Sequence, residues 1–203
     1  MDKKQIDRFF RVVAQGLDRP VKVILTGAAA GTLLGHIRPS LDIDFGIELT
    51  EKSKKGWRQV EEAIAQAQKL TGISVNYAQD IDRWGSISLL DYRKHLRSYR
   101  VFRKLQVNLL DPAYWTIGKM TRFLDSDIWD IAKIVSREGI SSQKLVRLWG
   151  KALRASPRST ASFQFREHVE YFIRRHGKSI WGKRFDPDLS VHLFQTEAEI
   201  SSA

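Results

Sequence analysis

Apolar residues along the chain switch between a period near 3.6 and a period of two, and the switches outline the elements. Ile6, Phe9, Phe10, Val13 and Leu17 recur at spacings of three and four, which predicts an amphipathic helix ending between Gly16 and Pro20. Val21 to Leu25 is a β-branched run that reads as a buried strand. Thr26-Gly27 and three alanines follow, a tight turn into a helix with the turn at Gly27. Leu41-Asp42-Ile43-Asp44-Phe45-Gly46-Ile47 alternates strictly, so a strand is expected with Leu41, Ile43, Phe45 and Ile47 buried and Asp42 and Asp44 together on the other face. After a charged connector, Trp57, Val60, Ala63, Ile64 and Ala67 mark a helix over 56–70, stopped by Thr71-Gly72. Ile73 to Tyr77 alternates again as a strand.

From Trp84 to Lys104 the pattern is irregular. Leu105 to Leu110 reads as a strand, and Pro112 begins a helix. Ile117, Met120, Leu124, Ile128, Ile131 and Val135 then form one continuous apolar stripe, which predicts a single helix. At about 100° per residue, Lys119 and Asp130 project within about 20° of each other on it, flanked by Arg122 and Asp127. Salt-bridged solvent exposure is the plain reading of such a face. Beyond Gly139 the texture is helical and basic: a helix starts at Ser141-Ser142, 155–161 links it to a helix over Phe163 to His176, Lys178 to Arg184 surrounds Trp181 with charge, and 197–203 reads as a frayed end. The expected class is α/β, a small mixed sheet with flanking helices over residues 1–138, followed by a basic helical subdomain over 139–203 that packs on the core.

Composition narrows the function classes. With 203 residues, 42% hydrophobic content, 6 Trp and 10 Phe, the chain has enough apolar mass for a packed core. The lack of cysteine excludes disulfides and thiolate zinc sites. The longest weakly polar run, Val23 to Gly35, is too short to cross a bilayer, so a soluble cytoplasmic protein is expected. The formal charge of +11, from 34 Lys and Arg against 23 Asp and Glu, is spread along the chain and favours polyanions such as RNA. Cations interleaved with Tyr92, Tyr99 and Phe102 between Arg93 and Lys104 suit a single-stranded nucleic-acid surface, and suit a solvated basic segment equally.

Two carboxylates on one face of a strand repel unless something neutralises them. Oxygen-only ligands favour Mg²⁺ or Mn²⁺. The alternative is a solvated acidic sheet edge. A second Asp-x-Asp, Asp80 with Asp82, follows the next strand and makes Asp80 a candidate third ligand, although turn aspartates are usually structural.

Strand, glycine turn, helix, Arg38-Pro39-Ser40 and then Asp42-x-Asp44 form an ordered constellation that resembles the nucleotidyltransferase superfamily of the DNA polymerase β type. In that likeness Gly27 opens the helix, Arg38 and Ser40 match the Arg-x-Thr/Ser lead-in, and Asp42 and Asp44 match the metal-binding pair. Gly27-Ala28-Ala29 departs from the usual Gly-Ser by lacking a hydroxyl, leaving backbone amides to hold phosphate. The order of Lys119, Arg122, Asp127 and Asp130 after a Pro-begun helix resembles the AbiEii-like branch, which includes toxins of type IV toxin–antitoxin systems. The likeness spans roughly residues 20–135.

The resemblance implies a metal-dependent transfer of a nucleoside monophosphate from an NTP to an acceptor hydroxyl. Asp42 and Asp44 would hold Mg²⁺ or Mn²⁺, with Asp80 as a further ligand. Gly27, Ala28, Arg38, Ser40, Lys119 and Arg122 would contact the nucleotide, and Asp130 or Asp127 would orient Lys119 or act as base. RNA, tRNA in particular, is the first acceptor class, with a protein or small molecule behind it and an antitoxin protein as a partner. Two rivals stay open at this point: a nucleotidyltransferase-like binder without catalysis, and a plain nucleic-acid-binding protein whose Asp pair is incidental.

Overall fold

The computed structural model describes residues 1–199 except 36–38, 50–52, 80, 82 and 85. Its elements in chain order are α1 (Lys3–Gln15), β1 (Val21–Leu25), α2 (Gly27–Leu33), β2 (Asp42–Leu49), α3 (Lys54–Thr71), β3 (Ser74–Ala78), β4 (Arg83–Trp84), β5 (Ile87–Ser88), a 3-10 turn (Tyr92–His95), β6 (Leu96–Phe102), β7 (Leu105–Leu110), α4 (Pro112–Arg122), α5 (Asp125–Glu138), α6 (Ser142–Arg154), α7 (Thr160–Trp181) and α8 (Pro187–Glu197). The class is mixed α/β, as the pattern predicts.

The chain divides into two compact units, one of residues 1–81 and 93–110 and one of 82–92 and 111–203. The chain passes between the units after Ile81, after Tyr92 and at Leu110-Asp111, where Asp111 caps α4 by accepting from Ala113 N at 2.9 Å.

The first unit is a five-stranded sheet in the order β3-β2-β1-β7-β6. β1 pairs antiparallel with β2 and parallel with β7, β2 is parallel to β3, and β6 closes the other edge antiparallel to β7. Buried Ile43, Phe45 and Ile47 point to one face of β2. There Phe45 meets Phe9 and Phe10 of α1 at ring distances of 6.4 and 5.6 Å and stacks on Tyr77 at 5.8 Å. The apolar stripes of α1 and α3 exist to cover this face. Leu41, expected among the buried residues, is instead 93% exposed: it precedes β2, and the alternation that includes it in the sequence ends where pairing begins.

The expectation of an irregular 84–104 is also corrected, since this stretch holds β4, β5, the 3-10 turn and β6. β6 lacks alternation because it is an edge strand. Only Phe102 of its residues is buried, and a bulge interrupts its pairing between Ser98 and Arg100.

In the second unit, α4 to α8 pack around Trp149, Phe165, Phe172 and Phe194, all buried. Trp149 Nε1 donates to Thr116 Oγ1 at 3.0 Å, so the indole nitrogen is satisfied inside the core. The single helix expected from 112 to 135 is two. α4 ends at Phe123, whose φ of 54° is left-handed, and its ring stacks on His168 at 4.4 Å. The apolar stripe carries across because both helices face the same core, which the period alone cannot distinguish from continuity. α7 is longer than expected at both ends. α8 was not anticipated: it continues through Glu197, and Ala198 after it is buried, so the frayed end expected from 197 does not begin there. Residues 200–203 lie outside the described residues.

Candidate functional site

The two aspartates of β2 do share a face, and the proof is a third side chain. Asn76 of β3 donates its amide to Asp42 Oδ2 at 2.9 Å and to Asp44 Oδ1 at 3.0 Å. The parallel register sets Asn76 directly opposite Asp44, so the strand pairing itself brings the amide to the carboxylates. Amide N–H groups carry partial positive charge and offset the repulsion between the two acids. Ser40, 2% exposed, donates its hydroxyl to Asp42 O at 2.6 Å, and the N-terminal ammonium of Met1 donates to Ser40 O at 2.8 Å. Ser40 therefore ties the start of β2 through the Asp42 backbone.

Gly27 stands against the Asp44 carboxylate. Its φ is +58°, and a Cβ placed on it would lie 1.9 Å from Asp44 Oδ2, inside any permitted contact. Thr26 N donates to Asp44 O at 2.9 Å, tying the turn to the strand. The helix α2 does begin at Gly27, as the glycine turn predicts, and its first residue lies against Asp44. Arg38, Asp80 and Asp82 lie outside the described residues.

Among the described residues no three His, Cys, Asp or Glu side chains gather as a metal cluster. The oxygen donors at hand are two carboxylates and, after a half-turn of its amide, Asn76 Oδ1. This all-oxygen set fits a hard divalent cation, with one neutral donor in place of a third acid. A cavity of about 990 Å³ opens further along β2, lined by Glu48, Ser53, Lys54, Trp57, Glu61 and Arg93 among others.

Lys119, Arg122, Asp127 and Asp130 form a cluster in the second unit. Lys119 Nζ donates to Asp127 Oδ1 at 3.0 Å and to Asp130 Oδ2 at 2.6 Å, and lies 5.0 Å from the centre of the Trp115 ring. Arg122 holds Asp127 with two bonds, at 2.7 and 2.6 Å. The cluster is interior rather than a solvated salt-bridge face, the plain alternative for such a helix, with Lys119 4%, Asp127 0% and Asp130 1% exposed. Burial raises the Asp127 pKa, but the hydrogen bonds from Arg122 and Lys119 outweigh it and hold the carboxyl below its ordinary value. This geometry clamps α4 to α5.

Much of the basic stretch from Arg93 to Lys104 is engaged within the first unit. Arg93 pairs with Glu48 at 2.5 Å, Arg100 and Tyr99 both reach Asp7 at 2.7 Å, and Lys104 donates to Asp18 O. Burial, and then the bond to Asp7, raises the Tyr99 pKa well above its ordinary value.

Asn76 carries no charge, and nothing in the sequence alone marks it as part of the site. The alternation of Ile73 to Tyr77 puts it on the polar face, but only the β2–β3 register makes it a neighbour of both acids. No helix among the described residues is long and apolar enough to cross a membrane. Compared with protein-family models, with curated proteins and with solved structures, the chain matches none.

Proposed function

We propose that the chain is a metal-dependent nucleotidyltransferase that moves a nucleoside monophosphate from an NTP to an acceptor hydroxyl, with RNA, tRNA first, as acceptor. The observation that carries this reading is the tight approach of Gly27 to Asp44 beside Asp42, a paired-acid site whose neighbouring backbone turn tolerates no side chain. Asp42 and Asp44 would hold a Mg²⁺ or Mn²⁺ ion, whose chemistry would be to neutralise triphosphate charge and acidify the attacking hydroxyl, with pyrophosphate as the leaving group. The two acids would supply the anionic ligands; the Asn76 amide shields their repulsion without a cation and, turned over, would offer its carbonyl oxygen to one. The turn at Gly27 lets phosphate oxygens come near the backbone at the acids. Positioning and electrostatics carry such transfers, so no side-chain nucleophile is needed. Lys119 and Asp130 have a sufficient role in the α4–α5 clamp, and the reading does not depend on them. A toxin acting beside a cognate antitoxin is the biological setting suggested by the resemblance.

A second reading has its own observation. Asn76 occupies both carboxylates with one neutral amide, which favours a nucleotide- or RNA-binding protein that keeps the arrangement without catalysis. Incubation with each labelled NTP, Mg²⁺ or Mn²⁺ and total RNA separates the two. Label transfer that disappears in Asp42→Ala supports the enzyme, and absence of transfer to RNA, protein and small-molecule acceptors alike supports the binder.

A further inference from the structure

The C-terminal half of α7 and the turn after it carry cations out of proportion to their structural use. Arg174, Arg175, Lys178, Lys183 and Arg184 fall within eleven residues that contain no acid, and all are exposed. Arg174 pairs with Asp188, while Asp186 is spent capping α8 by accepting from Asp188 N and Leu189 N at 2.9 and 3.0 Å. Among the described residues, Arg175, Lys178, Lys183 and Arg184 have no carboxylate within ion-pair distance. A helix C-terminus favours cations in its last turn, which accounts for Lys178 but not for the other three.

The turn that presents Lys183 and Arg184 is built, not loose. Phe185 folds back onto α7 at Gly177, where an added Cβ would lie 2.1 Å from its Cε1, and its ring packs on Trp181 at 4.9 Å. Phe185 N donates to Gly182 O at 3.0 Å, and Trp181 Nε1 to Ile140 O at 3.0 Å. The two cations are therefore held at the end of the helix that bears the other two. Tyr171, 53% exposed, shares a face of α7 with Arg175 and Lys178, about 6 and 10 Å along the axis from them, and its ring meets Phe123 edge-on at 6.0 Å and His176 at 6.1 Å. Exposed cations along one helix and its closing turn, with a half-exposed aromatic ring on the same helix face, combine phosphate neutralisation with base stacking, the chemistry of single-stranded nucleic-acid surfaces.

We infer that this surface, Tyr171, Arg175, Lys178, Lys183 and Arg184, binds single-stranded RNA. It deepens the acceptor class of the proposed reaction and rests on that reading for its purpose, but the binding is measured without nucleotide or metal.

The test is titration of the full chain into a labelled single-stranded RNA of mixed sequence at several salt concentrations between about 50 and 200 mM. Substituting all four cations by Gln should flatten the slope of log K against log salt by about 3, at about 0.7 per phosphate contact. The pair Lys183→Gln and Arg184→Gln lies outside the helix, leaves α7 intact and should remove about half of that. Removing four exposed cations from the first unit, Lys4, Arg11, Lys55 and Lys69, is the charge-matched control. An unchanged slope in the α7 variants, or an equal loss in the control, overturns the inference, as does four-cation-dependent binding to phosphatidylserine vesicles without RNA binding. If label transfer fails while this slope change holds, the surface stands and the enzyme reading falls; the opposite pattern sinks the surface alone.

Discussion

Lys119 and Asp130 lie eleven positions apart in sequence, yet ammonium and carboxylate meet at 2.6 Å in the interior. On one straight helix the same separation would span about 16 Å, since each residue rises about 1.5 Å. The left-handed residue Phe123 folds α5 back on α4 and closes the gap. Removing one member of a buried pair leaves the other charge uncompensated. Lys119→Met should therefore destabilise the protein by about 3–5 kcal/mol in urea unfolding, and RNA binding measured on the folded variant should persist. A loss below about 1 kcal/mol would show that the clamp is not needed for the fold.

Asp127 gives the acid limb of stability a specific source. Its folded pKa is below the ordinary 3.8, so the unfolded chain takes up this proton first as pH falls. The contribution is complete above about pH 4 and drains away as pH drops through the lower folded value. Urea midpoints measured from pH 6 down to pH 2 should fall below about pH 4, and the fall should be shallower in Asp127→Asn, which starts from lower stability.

Gly27→Ala tests the close approach at the acids. The Cβ must displace the Asp44 carboxylate, and the positive φ adds backbone strain. A cost of about 1–3 kcal/mol is expected, with loss of any nucleotide transfer. A fully stable, fully active variant would remove the observation on which the functional reading rests.

Asn76→Asp turns the amide bridge into a third acid facing Asp42 and Asp44. Without divalent cations the melting temperature should drop, because the bridging donors are gone and three carboxylates repel. Addition of Mn²⁺ should restore it by more than it raises the wild type. An equal Mn²⁺ response in both proteins would argue that no cation sits at these residues.

Much of the first unit was legible because local pattern and tertiary burial agree there. The alternation in β2 follows from one face meeting α1 and the other bearing acids, and the glycine after β1 is required by the carboxylate beside it. β6 escaped detection because an edge strand with both faces largely exposed leaves no alternating signature. The break at Phe123 escaped because both halves keep their apolar stripe toward the same core. The reading of Lys119 and Asp130 as neighbours was right in outcome and wrong in route, since a helical wheel aligns angles but not heights.

By itself the sequence determined the α/β class, the run of elements from α1 to β3, and the side-by-side placement of Asp42 and Asp44, all of which are consequences of periodicity within single elements. Tertiary structure alone decided that Asn76 bridges those acids, that the charged cluster of α4 and α5 is interior, and that Phe185 fixes a basic turn at the end of α7. Each of these depends on register or packing between elements distant along the chain, and such distances are set by how faces meet, which no local pattern encodes.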